Sequence, residues 1–283
     1  MKILILGASG MIGHTLFNYF SSKYETFGTL RLRKENYNFG NAGNLINHFD
    51  LRDFNNVKSI IEKIKPTVVI NCTGIVKQIS DSVSIKDQIR LNSLTPHLLA
   101  ELSTSMAFRS ITLSSDCVFT GLRGEYTEDD FPDANDLYGS TKILGEVNND
   151  YSLTIRTSTI GLELGHQHGL VEWFLSKKGD IQGFDNAIYS GLTVIECAKY
   201  LENILLYHSD ITGIFQMAAK KITKYDLLKR LSTELNRTDI NILKNIDFKC
   251  DRSLVGGRLD NLTDYKVPSW DKMIGDLALE ILE

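Results

Sequence analysis

The first 13 residues read MKILILGASGMIG and decide the fold. The apolar run Lys2–Leu6 predicts a buried strand, and Met11–Phe20 has the apolar spacing of an amphipathic helix. A tight turn, the approach of a pyrophosphate to the backbone and the packing of the helix on the strand each favour glycine. The free N–H groups at the start of the helix also attract phosphate. We therefore predict a dinucleotide-binding turn whose contact residues are Gly7, Ser9, Gly10, Met11, Ile12 and Gly13.

The rest of the chain alternates predicted strands and helices. Further strands are predicted at Thr26–Arg31, Thr67–Asn71, Ser110–Leu113, Leu153–Thr157 and Gly213–Met217, and helices at Val57–Ile64, Ser93–Ser103, Tyr138–Val147, Ile195–Tyr207 and Lys224–Leu235. Such alternation implies right-handed βαβ units, and hence an α/β fold with a doubly wound parallel sheet of the Rossmann type. Leu162–Ala187 has no clear period and predicts loops with short helices. We expect a dinucleotide-binding domain over 1–161 plus about 188–217, and a smaller C-terminal lobe over about 162–187 plus 218–283.

Composition narrows the class of protein. The chain has 283 residues and a formal net charge of −4, whereas nucleic-acid-binding proteins usually carry a basic surplus. We find no apolar run long enough to cross a bilayer, so no membrane partner is expected. The four cysteines are far apart and predict neither a disulfide framework nor a zinc cluster, which favours a reduced, cytoplasmic protein. His166 and His168 lack a third ligand, so no metal site is predicted.

The segment Thr29–Lys34, at the end of the second predicted strand, reads TLRLRK. An NAD site usually has an Asp or Glu here to hold the ribose 2′-hydroxyl, but this segment has three cations and no carboxylate. Guanidinium groups suit the extra 2′-phosphate of NADPH, so we predict NADPH rather than NADH, with Arg31 and Arg33 as ligands. The alternative is a solvated basic loop. Asp50 and Leu51 follow a third strand and are expected to flank the adenine.

Tyr138 and Lys142 are four residues apart in LYGSTKILGE and so share one face of a helix. An ammonium beside a phenol favours the phenolate, so we expect Lys142 to lower the pKa of Tyr138. Tyr138 could then protonate the alkoxide formed when hydride reaches a ketone. Ser115 lies 23 residues earlier at a predicted strand end, where open parallel sheets bind ligands, and could hold the carbonyl. The same spacing after Tyr19 and Tyr225 is regarded as chance.

Together, the glycine turn, the serine and the tyrosine–lysine pair resemble the extended short-chain dehydrogenase/reductases. Within that group, SSDCVFTG (Ser114–Gly121) is similar to the S-T-D-Y-V-F-x-G signature of the dTDP-4-dehydrorhamnose reductase family. GIFQMAAKKITKYDLL (Gly213–Leu228) and CDRSLVGGRL (Cys250–Leu259) resemble later segments of that family, so the resemblance covers nearly the whole chain. It implies catalytic roles for Ser115, Tyr138 and Lys142.

The resemblance implies an oxidoreductase in which NADPH reduces a nucleoside-diphosphate-linked 4-keto-6-deoxy sugar for surface polysaccharide biosynthesis. The residues that it adds at the cofactor are Cys72, Thr73 and Gly74, together with Tyr138 and Lys142. Those expected at the nucleotide sugar, which the C-terminal lobe would help to bind, are Lys77, Asp116, Trp173 and Arg252. Asn92 matches a helical asparagine in the active-site network of the wider superfamily. Cys117 replaces the family's usual tyrosine and Ser253 its usual proline. The turn Cys72–Gln78, expected to line the nicotinamide and the sugar, also differs from the family's more alanine-rich stretch, which leaves the identity of the sugar open.

Two other functions stay open at this point. An epimerase or dehydratase of the same fold keeps NAD bound and usually has an acidic residue after the second strand, where this chain has Arg31–Lys34. A dehydratase also tends to show T-D-E in place of Ser115-Asp116-Cys117. A non-catalytic regulatory subunit would retain the nucleotide fold, and the intact Ser115, Tyr138 and Lys142 argue against it without demonstrating turnover. Assembly as a homodimer is also left open.

Overall fold

The structure is a computed structural model that describes residues 1–33, 35, 39, 44–165 and 169–282. Its strands are β1 (Lys2–Leu6), β2 (Glu25–Thr29), β3 (Asn44–Ile46), β4 (Val68–Asn71), β5 (Arg109–Leu113), β6 (Ser152–Arg156), β7 (Thr159–Ile160), β8 (Gly179–Phe184), β9 (Ala187–Tyr189), β10 (Leu192–Thr193), β11 (Gly213–Gln216), β12 (Ile222–Thr223), β13 (Ile240–Asn245) and β14 (Cys250–Asp251). Its helices are α1 (Met11–Ser21), α2 (Phe54–Ile64), α3 (Ile85–Gln88), α4 (Thr95–Met106), α5 (Leu137–Leu144), α6 (Leu170–Leu175), α7 (Val194–Tyr207), α8 (Lys224–Glu234), α9 (Gly257–Thr263) and α10 (Trp270–Leu282).

A seven-stranded sheet forms the centre of the molecule. Its strand order is β11-β6-β5-β4-β1-β2-β3, and every neighbouring pair is parallel. The chain moves outward from β1 to β3 on one side and from β4 to β11 on the other, which confirms the predicted doubly wound α/β fold. The order reverses between β1 and β4, and ligands of such sheets bind at the carboxyl ends of the strands on either side of this point.

Helices cover both faces of the sheet, and β1 shows how the sequence specifies this. Ile3 and Ile5 join the larger core cluster with Phe17 of α1, whereas Leu4 and Leu6 join a second cluster with residues of α2 and α4. All four of these β1 side chains are fully buried. A continuous apolar run, instead of alternation, is the pattern of a strand that is buried on both faces.

The glycine turn after β1 has the geometry that the sequence predicts. Gly7 has a positive φ of 81°, which L side chains rarely adopt. A Cβ on Gly13 would lie 2.1 Å from the carbonyl oxygen of Gly7, so only glycine lets α1 pack this closely on the turn. The equivalent atom on Gly10 would lie 3.5 Å from its nearest neighbour, an ordinary contact. The turn is therefore tight beneath Gly13 and open above Gly10.

Smaller strand pairs lie beyond the central sheet. β9 pairs antiparallel with β12 and parallel with β14, and β8 pairs in parallel with β13 along its whole length. The prediction of loops with short helices over Leu162–Ala187 is therefore wrong in part, because this segment contains β8 as well as the short α6. The strand gave no local signal, since Asp180 pairs with Asn241, which lies 61 residues later.

The other predicted helices and strands end within about three residues of the observed ones. The helices α9 and α10 are additions that we did not predict. Lys34, His166 and His168, which entered the cofactor and metal predictions, lie outside the described residues. Across the residues that the structure describes, no helix is both long and apolar enough to span a membrane. The proposed division of the chain into two lobes stays a prediction.

Candidate active site

A cleft of about 500 Å³ opens at the carboxyl ends of β1, β2 and β4, where the strand order reverses. We call it the dinucleotide cleft. Nine residues predicted to contact the cofactor line it: Gly7, Ser9, Gly10, Arg31, Asp50, Leu51, Cys72, Thr73 and Gly74. The structure thus brings together residues that lie in four separate parts of the sequence between Gly7 and Gly74.

The start of α1 forms one wall of the cleft and can receive phosphate. Gly10 is the N-cap and supplies no side-chain hydrogen bond to the first turn. The first N–H groups of an α-helix have no partner within the helix, so those of Met11 and Ile12 remain available to an anion. Gly13 lies buried beneath this turn and acts through packing.

Two basic side chains follow β2 and behave differently. Arg31 is exposed and lines the dinucleotide cleft. Arg33 donates from Nε to Nε2 of His48 at 3.2 Å and is not among the residues that line the cleft. Of these two predicted ligands of a 2′-phosphate, the geometry therefore favours Arg31.

Arg52 lines the same cleft and was missed by the sequence reasoning. Its guanidinium makes a two-pronged contact with Asp50, with Nε 2.9 Å from Oδ1 and Nη2 2.7 Å from Oδ2, and it also reaches Asp87 at 3.3 Å. The hydrogen bonds from Arg52 lower the pKa of Asp50, so its carboxylate is ionised where it lines the cleft. The motif Asp50-Leu51-Arg52 carried the signal, since residues i and i+2 after a strand can pair.

Ser115 lies just past the end of β5 and is buried. Its hydroxyl accepts a hydrogen bond from the N–H of Cys117 at 3.1 Å and donates to Oδ1 of Asp116 at 3.2 Å. It also lies close enough to the phenol of Tyr138 to lower the pKa of that phenol in part. Asp136 caps the helix that carries Tyr138 by accepting from the N–H of Gly139 at 2.9 Å. The predicted meeting of Ser115 and Tyr138 is therefore present.

The expected lowering of the Tyr138 pKa is wrong for this structure. Burial raises the pKa of the phenol well above its usual value, and the nearby hydroxyl of Ser115 opposes this only in part. Lys142 is 7% exposed and its Nζ donates to the carbonyl oxygen of Leu113 at 2.9 Å. Burial lowers the pKa of Lys142 to about 8. The phenol is therefore protonated at neutral pH, which is the form that a general acid requires.

Asn92 links the loop after β4 to α5. It lies in a π-helical segment, Ile89–Leu94, a form often found at functional sites. Its Oδ1 accepts from the N–H of Ile75 at 2.8 Å, and its Nδ2 donates to Oγ1 of Thr141 at 3.0 Å. The side chain is buried. Asn92 thus fixes the loop that lines the cleft against the helix that carries Tyr138, in line with the role that the superfamily resemblance implies.

Charged side chains that we predicted at the substrate surround the Ser115 end of the site. Nζ of Lys77 lies 2.8 Å from Oδ2 of Asp136, and both side chains are exposed. Burial raises the pKa of Asp116, and the charge of Arg252 opposes that rise. Trp173 instead packs on the larger core cluster, with Nζ of Lys177 5.8 Å from its ring centre.

A C-terminal segment completes this end of the site. Nε of Arg252 donates to the carbonyl oxygen of Phe119 at 2.8 Å. The carbonyl oxygen of Ser253 accepts from the N–H of Tyr126 at 2.9 Å, and its hydroxyl accepts from the N–H of Glu125 at 2.8 Å. The long connection between β5 and α5 is therefore held in place by residues near the other end of the chain.

The doubly wound sheet, the glycine turn and the Ser115–Tyr138–Lys142 group together define an extended short-chain dehydrogenase/reductase fold with a dinucleotide cleft. Comparison with known families agrees with this class. The chain belongs to the family described as RmlD substrate binding domain, whose model matches residues 1–180.

Individual relatives carry different names. Methionine adenosyltransferase 2 subunit beta of Mus musculus is 30% identical over 151 residues, which are 51% of this chain and 41% of that protein, so the chain spans about two fifths of that relative's length. The dTDP-4-dehydrorhamnose reductase of Aggregatibacter actinomycetemcomitans is 24% identical over 236 residues, covering 80% of this chain and 76% of that one. The crystal structure of dTDP-4-dehydrorhamnose reductase from Bacillus anthracis in complex with NADP has a TM-score of 0.81 at 18% identity, covering 99% of this chain and 100% of that chain. This last likeness establishes the shared fold.

Proposed function

We propose that this protein is an NADPH-dependent oxidoreductase that reduces the keto group of a nucleoside-diphosphate-linked 4-keto-6-deoxy sugar. The observation that carries the proposal is the nearness of the Ser115 hydroxyl, just past the end of β5, to the protonated phenol of Tyr138 on α5. The hydroxyl can hydrogen-bond the carbonyl oxygen of a substrate, and the phenol can act as the general acid that protonates the alkoxide formed from it. Membership of the RmlD substrate binding domain family supports the sugar-nucleotide assignment.

The residues of the cleft fit a phosphorylated dinucleotide. The first turn of α1 presents free N–H groups, and Gly10 leaves room for phosphate to approach the backbone. Arg31 lines the adenine end, and the segment 29–33 has no carboxylate that would repel a 2′-phosphate. We assign the phosphates to the turn at Gly7–Gly10 and the 2′-phosphate to Arg31. When bound, NADPH supplies the hydride.

The chain's own groups would handle the substrate oxygen. Ser115 holds the carbonyl oxygen, and Tyr138 gives its phenolic proton to that oxygen as negative charge develops on it. Lys142, held by the carbonyl of Leu113, places a positive charge beneath the site while it is protonated. A cation near Tyr138 stabilises the phenolate left after proton transfer, which is the same as lowering the pKa of Tyr138, so it works against the rise that burial causes.

Charges on the substrate side fit a nucleoside diphosphate. Arg252 and Lys77 provide positive charge near Asp116 and Asp136. Guanidinium pairs well with phosphate oxygens, so we assign the diphosphate to Arg252. Lys77 is engaged with Asp136 and would exchange that partner for the substrate. We assign the remaining sugar and nucleoside contacts to the C-terminal lobe, and the product to a pathway of surface polysaccharide synthesis.

The decisive experiment follows the loss of NADPH absorbance with dTDP-, UDP- and GDP-linked 4-keto-6-deoxy sugars, with NADH in parallel. Oxidation with one sugar identifies the substrate. The variant Tyr138→Phe should lose at least about 100-fold in kcat, since general acid catalysis contributes about 10²–10⁴-fold, while its Kd for NADPH stays within about twofold. Full activity in this variant would disprove the assignment of the general acid.

A second candidate function is that of a dinucleotide-binding subunit without turnover. The observation that favours it is the 30% identity to methionine adenosyltransferase 2 subunit beta, which is higher than the 24% identity to the reductase. It predicts tight NADPH binding with no oxidation across the sugar panel. It also predicts that the protein forms a complex with a methionine adenosyltransferase catalytic subunit in size-exclusion chromatography.

A further inference from the structure

The buried ion pair of Glu146 and Arg156 lies directly beneath the site and has no part in the chemistry described above. Glu146 follows the end of α5, and Arg156 is the last residue of β6. Nη2 of Arg156 lies 2.8 Å from Oε2 of Glu146, and Nε lies 2.9 Å from Oε1. The side chain of Glu146 is 5% exposed and that of Arg156 is 3% exposed. A buried pair of this kind often stabilises a fold no more than apolar residues of equal volume would, so its presence calls for another reason.

Glu146 also binds the segment that carries Ser115, just past the end of β5. Its Oε1 accepts a hydrogen bond from the hydroxyl of Ser114 at 2.8 Å. One turn earlier on the same stretch of chain, Nζ of Lys142 donates to the carbonyl oxygen of Leu113 at 2.9 Å. The end of α5 is therefore tied to Leu113, the last residue of β5, and to Ser114, which follows it and immediately precedes Ser115. These two ties fix the position of Tyr138 relative to Ser115.

We propose that Glu146 and Arg156 form a positioning pair, in which Glu146 holds Lys142 in its cationic form and Arg156 holds Glu146 in place. This inference rests on the proposed reductase function, because it assigns the pair a role in the charge of Lys142. Nζ of Lys142 and Oε1 of Glu146 bind the adjacent residues Leu113 and Ser114, so the two charges face the same short segment.

Among the groups that act on the protonation of Lys142, Glu146 supplies the negative charge. Burial of Lys142 favours its neutral form, and the charge of Glu146 is the strongest influence in the other direction. The thiols of Cys117, on the segment after β5, and Cys72, after β4, also face it. Burial raises the pKa of Cys117 to about 12 and that of Cys72 higher still, so both thiols are neutral at physiological pH. Glu146 is then the anion that keeps the ammonium charged.

Three variants separate positioning from simple support of the fold. Glu146→Gln removes the negative charge and keeps hydrogen bonds to Ser114, so Lys142 should lose its proton at lower pH. Arg156→Gln leaves Glu146 unpaired, so Lys142 should hold its proton to higher pH. The double variant Glu146→Gln/Arg156→Gln removes both charges and should lie between the two. Charges at this range move a pKa by about one or more, so each single variant should shift the alkaline limb of the kcat/KM profile by about one pH unit.

The same titration is measured without turnover by NMR of protein carrying ¹³C-labelled lysine, with the Lys142 signal assigned by its loss in Lys142→Arg. Opposite shifts in Glu146→Gln and Arg156→Gln support the proposal. Lower rates with an unmoved limb and an unmoved Lys142 titration in all three variants would show that the pair only supports the fold, and would overturn it. Glu146→Gln leaves a buried unpaired guanidinium and is the variant most prone to unfold; the double variant and Arg156→Gln then decide. If the wild-type protein oxidises no NADPH with any sugar, the reductase function fails while the NMR titration still decides whether Glu146 controls Lys142.

Discussion

Replacing Gly13 with alanine tests the tight packing between α1 and the glycine turn. The new Cβ would lie 2.1 Å from the carbonyl oxygen of Gly7, 2.8 Å from its carbonyl carbon and 3.0 Å from Cα of Ala8, all of them backbone atoms. A C···O contact is normally about 3.3 Å or longer, so α1 would have to retreat by about 1 Å. Because these backbone atoms cannot rotate away, the cost lies at the upper end for overpacking, about 3 kcal/mol or more, offset by about 1 kcal/mol of helix propensity. We expect a net loss of about 2 kcal/mol or more.

The matched control is Gly10→Ala, three residues earlier in the same turn. Its Cβ would meet only the Gly7 oxygen at 3.5 Å, so the free energy of unfolding should change by less than about 1 kcal/mol, the preference for glycine over alanine at an N-cap. Because Gly10 lines the dinucleotide cleft, the methyl group should obstruct phosphate and raise the Kd for NADPH about tenfold or more, equivalent to about 1.4 kcal/mol.

Thermal unfolding and NADPH titration measure the two effects separately. Gly13→Ala should lower Tm by about 4–8 °C, at about 2–4 °C per kcal/mol for a chain of this size, whereas Gly10→Ala should melt near the wild type but bind NADPH poorly. A Gly13→Ala protein that melts within about 1 °C of the wild type would refute the packing argument.

Three further expectations follow from the site. Arg31→Glu should lower the preference for NADPH over NADH by roughly 10–100-fold, since it removes a charge-assisted contact with phosphate; Arg33→Glu should leave the ratio within about twofold, and equal effects of the two would remove Arg31 from its assigned role. Lys142→Met should abolish reduction yet stabilise the fold at pH 7. Burial lowers the pKa of Lys142 from 10.5 to about 8, which corresponds to a destabilisation of the fold by about 3 kcal/mol that the variant removes. The lost bond to Leu113 offsets about 1 kcal/mol of this gain. Between about pH 8 and 10.5 the unfolded chain still carries the Lys142 proton that the folded protein has lost, so the stability of the wild type rises across that window. The greater free energy of unfolding of Lys142→Met, measured in denaturant titrations, should therefore vanish above about pH 10.5. A constant difference at all pH values would contradict this. Asn92→Ala should lower kcat by roughly tenfold or more with little effect on NADPH binding, because it frees the Ile75 loop from α5, and unchanged kcat would argue against that link.

Local sequence was enough to predict the elements that carry the site. The run Lys2–Leu6 is apolar at every position but the first because β1 is covered on both faces. The contacts around Gly10 and Gly13 are with Gly7 and Ala8, only a few residues away. The spacing of Tyr138 and Lys142 placed both on one helix for the same reason. Ser115 was found because a strand end is marked locally, by an apolar run that stops at polar residues.

The partners of those residues could not be read in the same way, because they depend on contacts far apart in sequence. Lys142 binds the carbonyl oxygen of Leu113, a backbone group that every residue type has, so the sequence does not indicate this contact. The rise in the Tyr138 pKa comes from burial by several elements, so a rule based on one neighbouring lysine gave the opposite sign. The strand Gly179–Phe184 likewise takes its conformation from β13, not from its own pattern.

The ties from Arg252 and Ser253 to the connection between β5 and α5 bear on how the protein is made. Synthesis runs from the N-terminus, and domains begin to fold as they leave the ribosome. The glycine turn and the strands around it emerge early, whereas the residues that hold Phe119, Glu125 and Tyr126 emerge only near the end. A nascent chain can therefore form the dinucleotide cleft before Arg252 and Ser253 are available to hold the connection between β5 and α5. Premature termination before Arg252 would leave a product able to capture the dinucleotide but without a finished place for the second reactant.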